Sequence, residues 1–383
     1  MQTISVVLGS MGSGLFVLAS FLFVLSIVVF VHELGHFLVA RWCGVKVSAF
    51  SMGFGPEIFA FTDRHGTRWR LAWIPLGGYV KFMDDENGAS VPSHEKIEAM
   101  TPEERSGSFH TKPLWQKASV VAAGPIANFI TAIVIFALMA SFVGLRSSEP
   151  RVTAVMEGTP AASAGFKAGD LIVAVDGTKI DTFNDLQRIV GLNADSQLKV
   201  TVDRDGRQLD LPVVPMVREE ADGMGGKFRR GVIGIQGPGS REMKKLGPFE
   251  AIGYGVGETS YIITSTLSYI GKLFIGKESG DQLGGPIRIA EVSGQVAKIG
   301  FEPLLHLVAV ISVSVGLINL FPVPLLDGGH LTFYAIEAIR RRPLSERTQE
   351  IGFKIGLALV LMLMLFATWN DRMIVLRWVT GGG

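Results

Sequence analysis

Val31-His32-Glu33-Leu34-Gly35-His36 closes a run, Met1 to Val31, that contains no charged residue. Two histidines four apart lie on one face of a helix, one turn from each other. Imidazoles so placed can hold a zinc ion, and a glutamate beside them can deprotonate a water that the metal activates. The bland alternative is a chance H-E-x-x-H on a soluble helix. The surroundings weaken it, because polar groups inside an apolar span are costly unless they have partners or a purpose.

The 383 residues are 48% hydrophobic with a formal net charge of +1, and the mean hydropathy is +0.36. That is too apolar for an ordinary soluble protein and suits a polytopic membrane protein with extramembrane mass. The charge balance gives no reason to expect nucleic acid as a partner. Cys43 is the single cysteine, so no internal disulfide can form and a metal must rest on histidines and carboxylates. The apolar N-terminus lacks a basic n-region and carries the candidate catalytic residues at its end, so it is read as a span and not as a cleaved leader.

The first span is expected over Gly14 to Ala40, long enough for a hydrocarbon core of about 30 Å. Val45 to Lys81, punctuated by Gly53, Gly55, Gly77 and Gly78 with a turn at Asp63 to Gly66, reads as a β-hairpin sheet against the membrane. It is either an ordinary surface hairpin or an edge strand that holds a substrate extended. Asp84 to Lys112 reads as a polar loop. Ala118 to Val143 is the second span, opening with Gly124-Pro125-Ile126-Ala127-Asn128, where small residues permit close helix contact. Asn128 could cap or bridge helices and is assigned a structural role.

From Arg146 the composition becomes that of a soluble domain. Strands are expected at Leu171 to Val175, Leu198 to Val202 and Leu209 to Val214, and a helix at Phe183 to Val190. Glu219 to Arg230 reads as a charged linker, and Gly231 to Ile235 as a strand returning to the domain. Phe249 to Ile275 has apolar positions at helical spacing interrupted by Glu250, Glu258 and Lys272, and reads as an amphipathic surface helix. A third span, Leu304 to Phe321, runs into Pro322-Val323-Pro324-Leu325-Leu326-Asp327-Gly328. Arg340, Arg341, Arg342 and Arg347 precede a fourth, Ile355 to Trp369.

A catalytic zinc wants a third protein ligand, and a carboxylate at similar membrane depth should supply it. With basic loops cytosolic, the arginines put the end of span three inside, and four spans bring His36 and Asp327 to the same side. A fifth span at Phe249 to Ile275 would separate them by a bilayer. Asp327 is therefore the expected ligand, the alternative being a turn-forming Asp-Gly.

Together these residues resemble the site-2 protease family of intramembrane zinc metalloproteases, in its RseP-type branch. His32 to His36 carry the H-E-x-x-H, Gly124 to Asn128 the second-span motif, and Asn319 with Leu326-Asp327-Gly328 the third-span motif. Ala164-Gly165-Phe166-Lys167-Ala168-Gly169-Asp170 before a strand and Asp176-Gly177 resembles a bacterial PDZ core, some other small β-rich domain being the alternative. The best-known members carry two such domains; one is found in this chain. The resemblance implies Zn²⁺ held by His32, His36 and Asp327, with Glu33 as general base and Asn319 on the substrate backbone. It implies single-span membrane substrates, chiefly anti-sigma factors already cut on the periplasmic side, and signal-peptide remnants as a further class.

The expected architecture is a polytopic α-helical membrane protein with four transmembrane helices, a membrane-associated β-hairpin sheet and one extramembrane PDZ-like α+β domain. Residues 1–144 form the first membrane segment, with the β-loop at 45–83. Residues 145–240 form the PDZ domain, 241–300 an amphipathic helical segment and 301–383 the second membrane segment. The expected setting is the bacterial inner membrane with the PDZ domain periplasmic. Lipid and substrate are the partners, with no nucleic acid and no small-molecule cofactor. Two rival classes remain, a zinc-binding membrane protein without activity and a membrane-anchored PDZ scaffold. The intact Glu33 argues against the first, and the polar groups of span one against the second.

Overall fold

The charge-free run and the motif that ends it form one helix, α1 (Gln2–Trp42), closed by Arg41 in its last turn. The computed structural model describes residues 2–85, 100–194, 196–221, 227–239, 242–276, 280, 283–372 and 374. The chain falls into two compact units, one of Met1–Phe136, Gly255–Thr266 and Gly284–Asp371, the other of Ala137–Tyr254, Leu267–Leu283 and Arg372–Gly383.

In the first unit α1 leads into β1 (Val47–Thr62) and β2 (Arg68–Phe82), which pair antiparallel across the expected turn. Gly53, Gly55 and Gly77 take positive φ, and the register is irregular between Val47 and Phe59. As a result Phe50 has Val80 as its partner on one side and Trp69 on the other. Phe50, wholly buried, packs with Phe37 of α1 and stacks on Trp69. The hairpin is thus fastened to the helix that carries the histidines.

The stretch read as a polar loop is more ordered than expected. Residues 86–99 of it lie outside the described residues. Beyond them Thr101 opens α2 (Pro102–Gly107) with a capping box to Glu104 and proline in the first turn, a signature present in the sequence. Asp84 and Asp85 are fully buried. Asp84 accepts from Ser108 Oγ and the amides of Phe109 and His110, and Asp85 accepts from the Phe82 amide and lies 3.1 Å from His110 Nε2. The carboxylates read as loop surface are therefore a clasp between the end of β2 and the approach to the next helix.

That helix, α3 (Leu114–Leu138), continues as a π-helical turn over Met139–Val143. In the same unit α7 (Pro286–Ile299), α8 (Phe301–Asn319), α9 (Asp327–Arg340) and α10 (Glu346–Asn370) follow. Gly294 of α7 meets Val17 of α1 with no room for a Cβ. Buried Asp371 caps α7 by accepting from the amides of Gly285 and Arg288. Among the described residues four helices are long and apolar enough to cross a membrane, Gly14–Trp42, Leu114–Val143, Phe301–Asn319 and Arg347–Asn370. Between α3 and α7 lies α6 (Pro248–Phe274). It falls outside that set, and at Gly255 its backbone runs against Ile133 of α3.

In the second unit β3 (Leu145–Ser147) pairs with the late strand β12 (Glu242–Lys244), so the first and last strands are joined. β4 (Ala154–Val155) pairs with β11 (Ile235–Gln236). A sheet of order β6-β5-β7-β8 is built from β5 (Leu171–Val175), β6 (Thr178–Lys179), β7 (Leu198–Arg204) and β8 (Arg207–Val213). α4 (Pro160–Ser163) and α5 (Phe183–Leu192) complete it, and α5 has a capping box from Thr182 to Asp185. Alternation decides the core. Leu198, Val200 and Val202 of β7 turn inward onto Ile172, Val175, Leu186 and Val190, as period-two burial requires.

The segment read as a charged linker is instead a hairpin of β9 (Met216–Ala221) and β10 (Lys227–Val232), with 222–226 outside the described residues. The charged residues masked it, because a two-stranded hairpin of polar surface carries little hydrophobic pattern. Gly231 and Val232 end this hairpin, and the returning strand is β11.

Candidate metal centre

Two helices bring three ligating atoms to one point. His32 and His36 come from one face of α1, with Nε2 atoms 3.2 Å apart. Asp327 is the first residue of α9, and its Oδ2 lies 3.1 Å from His32 Nε2 and 3.5 Å from His36 Nε2. Asp327 thus opens a helix and is not the turn-forming Asp-Gly of the alternative reading.

Protonation follows from the outer partners. His36 Nδ1–H donates to the Val120 carbonyl at 2.8 Å, which leaves the Nε2 lone pair facing inward. Asp327 Oδ2 is buried with no hydrogen-bond partner. Converging acceptor atoms with no proton between them are what a cation resolves. Ligand atoms about 2.1 Å from a tetrahedral zinc stand roughly 3.4 Å apart, and the three separations match that spacing.

Asn128 of α3 is wholly buried, with Nδ2 3.2 Å from His32 Nδ1. Its Oδ1 is buried without a partner. With the amide turned end for end, Oδ1 accepts from His32 Nδ1–H and the His32 Nε2 lone pair is free for a metal. The sequence reading gave Asn128 a structural role. It does bridge helices, but the group it bridges to is a candidate ligand. Its place in an apolar span was the signal.

Close packing sets the depth of the site. A Cβ on Gly124 would lie 2.3 Å from His36 Nε2, and one on Gly35 would lie 2.4 Å from the Ala123 carbonyl oxygen. These glycines let α3 press its backbone onto the imidazoles. Glu33 lies beside them under β2, where a Cβ on Gly78 would be 2.9 Å from Glu33 Cγ. Before Asp327 the chain makes a tight turn in which Leu325 takes φ 97°, a conformation that costs a non-glycine residue about 1–3 kcal/mol. Gly328 and Gly329 pack on the backbone of 320–324 with no space for side chains.

All five residues singled out in the sequence, His32, Glu33, His36, Asn319 and Asp327, line one cavity of about 940 Å³. Sequence reasoning missed two further histidines on its wall, His110 and His330. Burial pushes the His330 imidazole below its ordinary range, against the pull of Asp327. A second group, Asp84, Asp85 and His110, also has ligating atoms close together, but these are taken up by the clasp described above.

The model of peptidase family M50 matches residues 20–363. The chain belongs to peptidase family M50. "Putative zinc metalloprotease R01501" of Rhizobium meliloti is 48% identical over 369 residues, covering 96% of this chain and 98% of the relative. "Putative zinc metalloprotease Atu1380" of Agrobacterium fabrum is 52% identical over 354 residues, covering 92% and 94%. "Metalloprotease MmpA" of Caulobacter vibrioides is 41% identical over 379 residues, covering 93% and 95%. The family match spans both halves of the cavity, the α1 motif and the Asp327 turn.

Proposed function

We propose that this M50 zinc metalloprotease cleaves single-span membrane proteins within the bilayer, such as anti-sigma factors already trimmed outside the cytosol, with signal-peptide remnants as a second class. The observation that carries the reading is the convergence of His32, His36 and Asp327 at hydrogen-bond spacing with Glu33 beside them, the histidines and Glu33 on a helix apolar enough to span a membrane.

His32, His36 and Asp327 hold the metal. Bound there, zinc would supply Lewis acidity toward a peptide carbonyl and a water. Glu33 takes the proton of that water and delivers it to the leaving amine. Asn128 keeps the His32 ring oriented, and Val120 does the same for His36. Asn319, at the end of α8 on the cavity wall, holds the substrate backbone. The edge of the hairpin sheet at Gly78 to Val80 keeps the substrate extended, since a peptide bond inside a helix is hard to attack.

The setting is the bacterial inner membrane, with Arg340 to Arg342 on the cytosolic side and the second unit on the periplasmic side. That unit is a PDZ-like domain. A cleft of about 330 Å³ lies between α5 and Val232 to Ile235, the place where such folds take a peptide end. It screens substrates and takes no part in the chemistry. The direct test is cleavage of a single-span substrate in proteoliposomes, trimmed against untrimmed. Cleavage of the trimmed form alone is expected. No cleavage of either form by zinc-loaded protein would refute the reading.

A further inference from the structure

Four polar residues of α9 line the cavity, beside Phe333: Asp327, His330, Tyr334 and Glu337. Their spacing of three, four and three places them in one stripe along the helix. Three of the four are accounted for. Asp327 faces the two histidines of α1. Glu337 Oε1 accepts from the Leu344 amide at 2.9 Å. The Tyr334 ring lies under Lys117 Nζ, 5.4 Å from its centroid.

His330 is different. Its ring is steadied by Phe353 and Tyr334, with centroids 5.4 and 6.5 Å away. Among the described residues its side chain makes no hydrogen bond, yet its nitrogens are not among the sealed polar atoms and so open onto the cavity. The other cavity histidines are all engaged. His32 meets Asn128, His36 meets Val120, and His110 is held by Asp85. An imidazole with neither nitrogen paired presents a donor and an acceptor to the cavity.

We infer that His330 is a substrate-binding residue, whose imidazole hydrogen-bonds the peptide backbone beside the scissile bond. A peptide in this cavity offers both carbonyl acceptors and amide donors, and a neutral imidazole matches both, one with each nitrogen. The clamp from Phe353 and Tyr334 fixes the ring before the peptide enters, so little side-chain entropy is lost on contact. His330 stands one helical turn after Asp327, which brings the contact next to the reacting carbonyl. The inference rests on the protease reading above.

The test uses the full chain loaded with zinc and two probes that chelate the metal equally. One is a peptide hydroxamate, the other acetohydroxamate, which has no peptide to hold. His330→Ala should keep full zinc content, bind acetohydroxamate as wild type does, and bind the peptide hydroxamate about tenfold more weakly. His330→Gln, which retains a donor and an acceptor, should recover most of that loss. Turnover of a single-span substrate should follow the same order through KM. Equal weakening of both probes, or loss of zinc, would make His330 a support of the metal shell and overturn the inference. Unchanged peptide binding in His330→Ala would overturn it as well. If the split between probes appears while wild type cleaves no single-span substrate, the His330 contact stands and the substrate assignment falls.

Discussion

Asn128 Nδ2 stands 3.2 Å from His32 Nδ1, a bond between the second and first spanning helices made by two buried polar side chains. It ties the orientation of a metal ligand to the packing of α3 on α1. Removing such an outer partner typically costs 10- to 100-fold in metal affinity or activity. Asn128→Ala should therefore hold zinc about 10- to 100-fold more weakly, with folding intact. Competition with a chelator of known affinity reads it. Wild-type affinity would show that the His32 ring is held by other means.

Asp327→Ala and Asn319→Ala should part company. An acidic group completes a metal shell, and a neutral amide seldom does. The first variant should lose zinc. The second should keep zinc and lose turnover. Metal analysis of both purified proteins decides the point, and full zinc in Asp327→Ala would place the third ligand elsewhere.

The two close glycines make a steric prediction. The Cβ of Gly124→Ala would come within 2.3 Å of His36 Nε2, which nothing short of a shift of α3 or of the ring can relieve. Zinc content should fall sharply while α3 remains helical. Gly257, whose added Cβ meets nothing within 4 Å, serves as the control, and Gly257→Ala should leave zinc unchanged.

The second unit should lose stability in acid through one ion pair. Asp170 is buried, and Arg204 bonds both of its oxygens at 2.7 and 2.8 Å. Burial raises the Asp170 carboxyl, but Arg204 and the Lys167 amide outweigh it and hold it below the ordinary value of 3.8. The folded form is therefore the weaker base. Its stabilisation is complete above pH 4 or so and fades as pH falls through the lowered folded value. Asp170→Asn should cost about 1–3 kcal/mol at neutral pH and progressively less below pH 4. Hydrogen-exchange protection of β5 and β7 in the full chain, followed against pH, measures it. A cost that does not change with pH would contradict it.

The pairing of Ser147 with Glu242 marks where the second unit can be cut out. Partner residues there are close enough for a two-residue turn to replace 148–241. The shortened protein should cleave a trimmed substrate as wild type does and also accept an untrimmed one. Loss of both activities in a zinc-loaded protein would make the unit part of the catalytic machinery.

The spanning helices were legible because apolar runs of that length have few other fates, and the strands of the second unit because Leu198, Val200 and Val202 alternate. The candidate metal site was legible because His32, Glu33, His36 and Asp327 are polar groups in or beside a span, and the fold brings them to one cavity. Three features escaped. In the β9–β10 hairpin the charged residues Arg218, Glu219, Arg229 and Arg230 hide the strand pattern. Asp84 and Asp85 look like loop surface until the amides they accept from are known. His330 belongs to the cavity only because the turn at Leu325 aims α9 at α1, and no local pattern states that aim.

The central claim is tested most directly by zinc stoichiometry and single-span cleavage in Glu33→Gln beside wild type. The account predicts equal zinc and a rate lower by about 100-fold or more. Equal turnover at full zinc occupancy would contradict it.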